Sequence, residues 1–157
     1  MNSNKVNIEI KKLNKNNIKN IVRLESKMFH PDECFPYHTI RLFIIRGNAW
    51  GVYYNRELIG YYFLLPYKKR MRIYSIGLLK EYRNKGIGTF VMENILKYSY
   101  EQGYHEISLE VRTDNTTAIN FYKKFDFIVV ERLKDYYEKG IDGYRMYHIP
   151  TSRNKTA

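Results

Sequence analysis

Two hydrophobic periods alternate along this chain, and their succession defines its elements. Val6 to Leu13 alternates apolar and polar positions, the two-residue period of a strand. Asn14 to Phe29 changes to helical spacing, with Ile18, Ile21, Val22, Glu25 and Met28 on one side. Pro31 and Pro36 break the stretch from His30 to Pro36, and Tyr37 to Arg46 predicts a second, short helix. Ala49 to Tyr54 and Leu58 to Leu65 are rich in β-branched and aromatic residues, and the Asn55-Arg56-Glu57 turn between them predicts a hairpin. Arg72 to Leu79 reads as a strand. Gly86 to Gln102 reads as a long helix with an apolar face at Ile87, Phe90, Val91, Ile95 and Leu96, closed by Gly103. His105 to Arg112 predicts a strand, and Thr116 to Phe125 a short helix with Ala118, Phe121, Tyr122 and Phe125 in register. Phe127 to Leu133 and Tyr144 to Ile149 predict closing strands, and Thr151 to Ala157 a polar, mobile tail. The order βααβββαβαββ points to an α/β (α+β) fold, with a mixed central sheet and helices on both faces.

With 157 residues, a single domain over residues 1–150 is expected, and 44% apolar content supports a real core. No apolar run approaches the ~18 residues of a membrane span, and the Lys-rich start has no apolar signal core. One cysteine, Cys34, excludes an internal disulfide and fits a cytoplasmic location. Its neighbours Asp32 and Glu33 are acidic and do not favour a thiolate, so a structural thiol is expected. No metal site is expected. The net charge of +11 raises a nucleic-acid-binding module as one reading, with Tyr67-Lys68-Lys69 as its aromatic and basic element. The basic residues are spread along the chain, however. That suits solvated charge and a polyanionic ligand better than a sequence-specific nucleic-acid surface.

The most informative stretch is Tyr-Arg-Asn-Lys-Gly-Ile-Gly-Thr, from Tyr82 to Thr89. It links a predicted strand to a helix start, where unpaired N–H groups and the helix dipole favour an anion. Gly86 and Gly88 let a phosphate approach the backbone, and Arg83 and Lys85 add positive charge. The loop is not a P-loop, because Lys85 precedes the glycine, nor a dinucleotide fingerprint, because Val91 stands where a third small residue is needed. On its own, Arg-x-x-Gly-x-Gly also fits a plain helix start.

Three segments in order carry a family resemblance over residues 6–149. They are Ile76-Gly77-Leu78 with Arg83-Asn84-Lys85-Gly86-Ile87-Gly88; then Leu109-Glu110-Val111-Arg112 with Asn115, Ala118, Phe121-Tyr122, Lys124 and Phe127; then Tyr136-Tyr137 through Asp142, Tyr144 and Met146. The chain resembles the GNAT acyltransferase superfamily, most of all the ribosomal-protein alanine and other protein N-terminal acetyltransferases. Phe35-Pro36-Tyr37 resembles their substrate-side loop. Two departures stand out. The family glycine before the last Phe is Asp126, a residue that tolerates left-handed backbone. The Tyr and His pair of one eukaryotic group is replaced by Arg72 and Glu110, whereas Glu110 and Tyr122 match the bacterial pattern.

The resemblance implies a mixed, mostly antiparallel GNAT sheet and transfer of acetyl from acetyl-CoA to a primary amine, by direct attack in a ternary complex. It implies that the backbone of Ile76, Gly77 and Leu78 docks the pantetheine arm, and that Arg83, Asn84, Lys85, Gly86, Ile87, Gly88 and Thr89 hold the pyrophosphate. Asn115 would bond the arm, or cap the helix at Thr116. Glu110 would be the base, directly or through water, and Tyr122 the acid for the leaving sulfur, unless each is only ion-paired or packed. Phe35, Tyr37, Tyr136 and Tyr137 would line the acceptor groove. The implied acceptor is a protein N-terminus, a ribosomal protein among the candidates. Transfer to a lysine side chain or a small amine, and a silent acetyl-CoA sensor, are the rival readings; oligomeric state stays open.

Overall fold

The computed structural model describes residues 7–150; Val6 and the tail expected at 151–157 lie outside the described residues. The element order is β1 (Ile8–Lys12), α1 (Ile18–Met28), α2 (Tyr37–Ile45), β2 (Ala49–Tyr54), β3 (Glu57–Tyr67), β4 (Arg70–Leu78), α3 (Ile87–Glu101), β5 (Glu106–Arg112), α4 (Thr116–Lys124), β6 (Phe127–Glu138) and β7 (Ile141–His148). This is the order the periodicity predicts. The strands form one seven-stranded sheet in the order β1-β2-β3-β4-β5-β7-β6. Pairing is antiparallel at β1–β2, β2–β3, β5–β7 and β6–β7, and parallel at β4–β5. The chain divides into two compact units, one comprising residues up to Leu64 with Ser75–Val91, the other Leu65–Tyr74 with the residues from Met92 on.

In the first unit the core is built from Ile18, Ile21 and Leu24 of α1, Ile40, Phe43 and Ile44 of α2, and Val52, Ile59, Tyr61 and Phe63 of β2 and β3. Phe43 stacks on Phe63 at 4.9 Å between ring centroids. Val22, expected on the apolar side of α1, is exposed, and Leu24 is buried instead. The β2–β3 hairpin turns through Asn55 and Arg56, both at positive φ (48° and 69°), which matches the right-handed twist of the strands it joins.

In the second unit Met92, Ile95 and Leu96 of α3 are buried with Ile107, Leu109, Val111, Phe127 and Met146. Gly103, at φ 91°, closes α3 as expected. Asp126 takes the left-handed φ of 67° that the missing family glycine requires. The closing hairpin is longer than its hydrophobic pattern predicts: β6 continues to Glu138 and β7 begins at Ile141. Polar side chains hold this extension. Asp142 accepts from Arg132 Nε (2.8 Å) and from the Asp135 amide (2.9 Å), and Asp135 accepts from the Gly140 amide (2.7 Å). An alternation rule has no reading for such a segment.

Candidate functional site

In the first unit the glycine loop is built by backbone conformation. Asn84 and Gly86 both have positive φ (59° and 82°), and left-handed residues of this kind curve the chain into a concave set of amides. The Phe90 amide bonds the Gly86 carbonyl (3.2 Å), so α3 starts here, and the amides of Ile87, Gly88 and Thr89 precede the first intrahelical donor. Arg83, Asn84, Lys85, Gly86 and Thr89 are exposed, while Ile87 anchors the helix start in the core. No heavy atom lies within 4 Å of where a Cβ on Gly86 would stand. These features fit a diphosphate: open space, presented amides and two cationic side chains. Gly86→Ala forces a left-handed alanine, at a cost of roughly 1–2 kcal/mol, and puts a methyl into that open space. Titration calorimetry with coenzyme A is expected to show at least about fivefold weaker binding.

The strand before this loop is held on its other side. The Leu79 amide donates to the Ile59 carbonyl (2.8 Å), and Arg83 Nε donates to the Leu78 carbonyl (3.0 Å). Ile76, Gly77 and Leu78 stay partly exposed. Gly77 has no room for a side chain, because a Cβ there would stand 2.5 Å from Met28 Cε and 3.3 Å from Phe29 Cζ. The end of α1 therefore lies against this strand. In the same unit Phe35 packs obliquely on Phe63 (6.2 Å), and Tyr37 opens α2 with an exposed ring.

In the second unit strand register builds a charged row. Glu110 of β5 pairs with Arg145 of β7, which pairs with Glu131 of β6. Arg145 Nε donates to Glu110 Oε1 (3.1 Å), and Arg145 Nη1 donates to Glu131 (2.8 Å). Arg72 of β4 donates to Glu110 Oε2 (2.8 Å) and, through Nη2, to the Tyr136 hydroxyl (2.9 Å). The Glu110 side chain is only 7% exposed. Each of its oxygens accepts from one guanidinium and retains a second lone pair for a water or an amine. Tyr136 and Tyr137 meet edge to face (5.0 Å). They pack so close that a Cβ on Gly143 would stand 3.0 Å from Tyr137 Cε2. Burial first, and the neighbouring Glu110 carboxylate after it, push the Tyr137 hydroxyl well up.

Tyr122 meets Phe121 and Phe127 edge to face (5.7 and 6.0 Å). Burial pushes its hydroxyl pKa up to about 12, so it carries its proton throughout the neutral range. Asn115 caps α4, its Oδ1 accepting from the Ala118 amide (3.1 Å). The second unit thus gathers Glu110, Tyr122, Tyr136 and Tyr137, whereas Phe35, Tyr37, Ile76 to Leu78 and the glycine loop belong to the first. Sequence reading missed Arg72 and Arg145 as partners of Glu110, because cross-strand register is set by tertiary pairing. Among the described residues no group of His, Cys, Asp and Glu could hold a metal ion, and no helix is long and apolar enough to cross a membrane.

The profile of the acetyltransferase (GNAT) family matches residues 16–127. An N-alpha-acetyltransferase of Sulfolobus acidocaldarius is 31% identical over 163 residues, covering 90% of this chain and 92% of that protein. One from Sulfurisphaera tokodaii is 42% identical over 79 residues, covering 50% of this chain; the match spans about half, 47%, of that relative's length. The crystal structure of Arabidopsis thaliana Naa50, in complex with the bisubstrate analogue CoA-Ac-MVNAL, is similar with a TM-score of 0.80 and 27% identity, covering 92% of this chain and all of that one.

Proposed function

Since the chain belongs to the acetyltransferase (GNAT) family, we propose that it transfers an acetyl group from acetyl-CoA to the N-terminal α-amino group of a protein or peptide. The observation that carries this reading is the similarity to an N-alpha-acetyltransferase along nearly the full length of both chains. The two units offer groups suited to the two halves of the task. Bound acetyl-CoA supplies an activated thioester. The amides of Lys85 to Thr89 bind its diphosphate, aided by Arg83 and Lys85, and the backbone of Ile76 to Leu78 docks the pantetheine arm by strand-like hydrogen bonds and polarises the carbonyl. Glu110 takes the amine proton through a water at its remaining lone pairs. An α-amino group has pKa roughly 7.7–8.0, against about 10.4 for lysine, so a mild base is sufficient for the former and a poor one for the latter. Tyr122 donates its proton to the departing sulfur. Tyr136 and Tyr137 in the second unit, and Phe35 and Tyr37 in the first, are the aromatic residues this reading assigns to the acceptor. Ribosomal proteins stay among the candidate acceptors.

Thiol release across short peptides with varied N-termini tests the reading. Peptides with free N-termini are expected to turn over, whereas N-terminally blocked peptides and small free amines are not. Equal release from blocked peptides carrying lysine would move the acceptor to the side-chain amine. Tyr122→Phe keeps the ring packing and loses the acid, and kcat is expected to fall about a hundredfold with little change in peptide KM. Because the hydroxyl titrates at about 12, the wild-type enzyme should show no loss of kcat from this group up to about pH 10.

A further inference from the structure

Glu25 is a carboxylate in the middle of the first unit's core, only 1% exposed, on the same helix side as Ile18 and Ile21. Among the described residues no cation pairs with it. An unpaired buried carboxylate is costly, and an apolar residue would stabilise this stripe more. Its two oxygens are used separately. Oε1 accepts from the Tyr61 hydroxyl (2.9 Å), and Tyr61 is itself fully buried. Oε2 accepts from the backbone amide of Phe35 (3.1 Å). The Tyr61 oxygen lies 3.4 Å from Ser75 Oγ. With the Tyr61 proton directed at Glu25, Ser75 is the donor to Tyr61. Ser75 immediately precedes Ile76, Gly77 and Leu78. The Glu25 pKa is raised overall: burial is the larger influence, and the bonds from Tyr61 and Phe35, which favour the ionised form, offset only part of it.

We propose that Glu25 is a positioning residue for acetyl transfer: its carboxylate ties the acceptor-side segment at Phe35 to β3 and, through Tyr61 and Ser75, to the strand that docks the acyl donor. The two carboxylate oxygens accept one donor each, Tyr61 at Oε1 and Phe35 at Oε2. A glutamine of equal size has one acceptor oxygen, and its amide group faces a donor with donors. Phe35 then loses its anchor while the hydrophobic core keeps its shape. The role rests on the N-terminal acetyl-transfer reading above, but the anchor itself does not.

Glu25→Gln and Glu25→Asp test it by two readouts. The first is steady-state kinetics with a free N-terminal peptide that the wild type acetylates. The peptide KM is expected to rise about tenfold in Glu25→Gln, a loss on the scale of one buried hydrogen bond to a charged group. Coenzyme A affinity and kcat should stay within about threefold of wild type. The second is amide hydrogen exchange at Phe35, which needs no substrate, and at least about tenfold faster exchange is expected. Glu25→Asp keeps the charge but is a methylene shorter, so it should shift both readouts in the same direction, and it serves if the Gln variant does not fold. A lowered melting temperature with unchanged peptide KM and unchanged Phe35 exchange would overturn the proposal and leave Glu25 a purely structural residue. If the wild type acetylates no peptide, the transfer reading fails by itself; faster Phe35 exchange then still upholds the anchor, and unchanged exchange refutes it.

Discussion

Replacing Glu110 with Gln is expected to lower kcat about a hundredfold at about pH 7, the lower end of what a general base contributes, because an α-amine needs only mild help. Coenzyme A affinity should be unchanged, since the Glu110 carboxylate bonds Arg72 and Arg145 and is not among the groups proposed to hold the diphosphate or the pantetheine arm. The kinetic defect should narrow as pH rises above the amine pKa of roughly 8, where neutral amine is already abundant. A defect of constant size across pH would instead assign Glu110 to holding the two arginines. The variant also leaves those guanidinium groups with a neutral partner. Both are about one-third exposed, so solvent offsets part of the loss. A cost of about 1–2 kcal/mol is expected, below the 3–5 of a fully buried pair. That corresponds to a melting temperature lower by roughly 2–8 °C. Rates measured well below that transition separate chemistry from stability. Glu110→Asp keeps the charge and should retain more of the melting temperature than of the activity.

Replacing Gly60 with Ala should have the largest effect of any single methyl group in the first unit. A Cβ on Gly60 would stand 2.5 Å from the Gly77 carbonyl oxygen, 2.6 Å from Leu78 Cδ2 and 3.2 Å from Leu78 Cα. The carbonyl belongs to the main chain, so relief requires moving β4 itself at the residues proposed to dock the acyl donor. Overpacking of this kind costs roughly 1–3 kcal/mol. Thermal unfolding should show a drop of roughly 2–12 °C. In calorimetry, acetyl-CoA affinity should weaken at least about tenfold, more than stability alone accounts for. Unchanged affinity in a folded Gly60→Ala protein would separate Gly77 and Leu78 from the donor site. Gly77→Ala is the milder change, because the nearest atom is the terminal methyl of the flexible Met28.

Several features of the candidate site were legible along the chain. The glycine loop announced itself by spacing: Arg83, Lys85, Gly86 and Gly88 sit between a β-rich run and a helical one, and the helix does begin there. Asn115 was readable as a cap, and Asp126 as a residue able to replace a glycine, because both properties belong to a single residue's backbone and side chain. Glu25 carried a signal in plain view, a carboxylate in an otherwise apolar helical stripe, but nothing in the pattern names its partners. Tyr61 and Ser75 stand 36 and 50 positions away from it, and a hydrogen bond across such separations follows from chain packing alone.

The sequence by itself determined the succession of elements, the kinds of residue at each turn and cap, and the position of the loop suited to a diphosphate. Each of these depends on interactions within a few residues: helical or strand periodicity, backbone preference, the partial charge of a helix end. Tertiary structure alone decided that Glu110 lies between Arg72 and Arg145, that β6 and β7 run on through an Asp142-centred polar hairpin, and that Gly60 must yield its side-chain space to β4. Those outcomes depend on strand register, where a shift of one residue turns every side chain to the other face. Register is chosen by the packing of the whole sheet and not by any short segment of it.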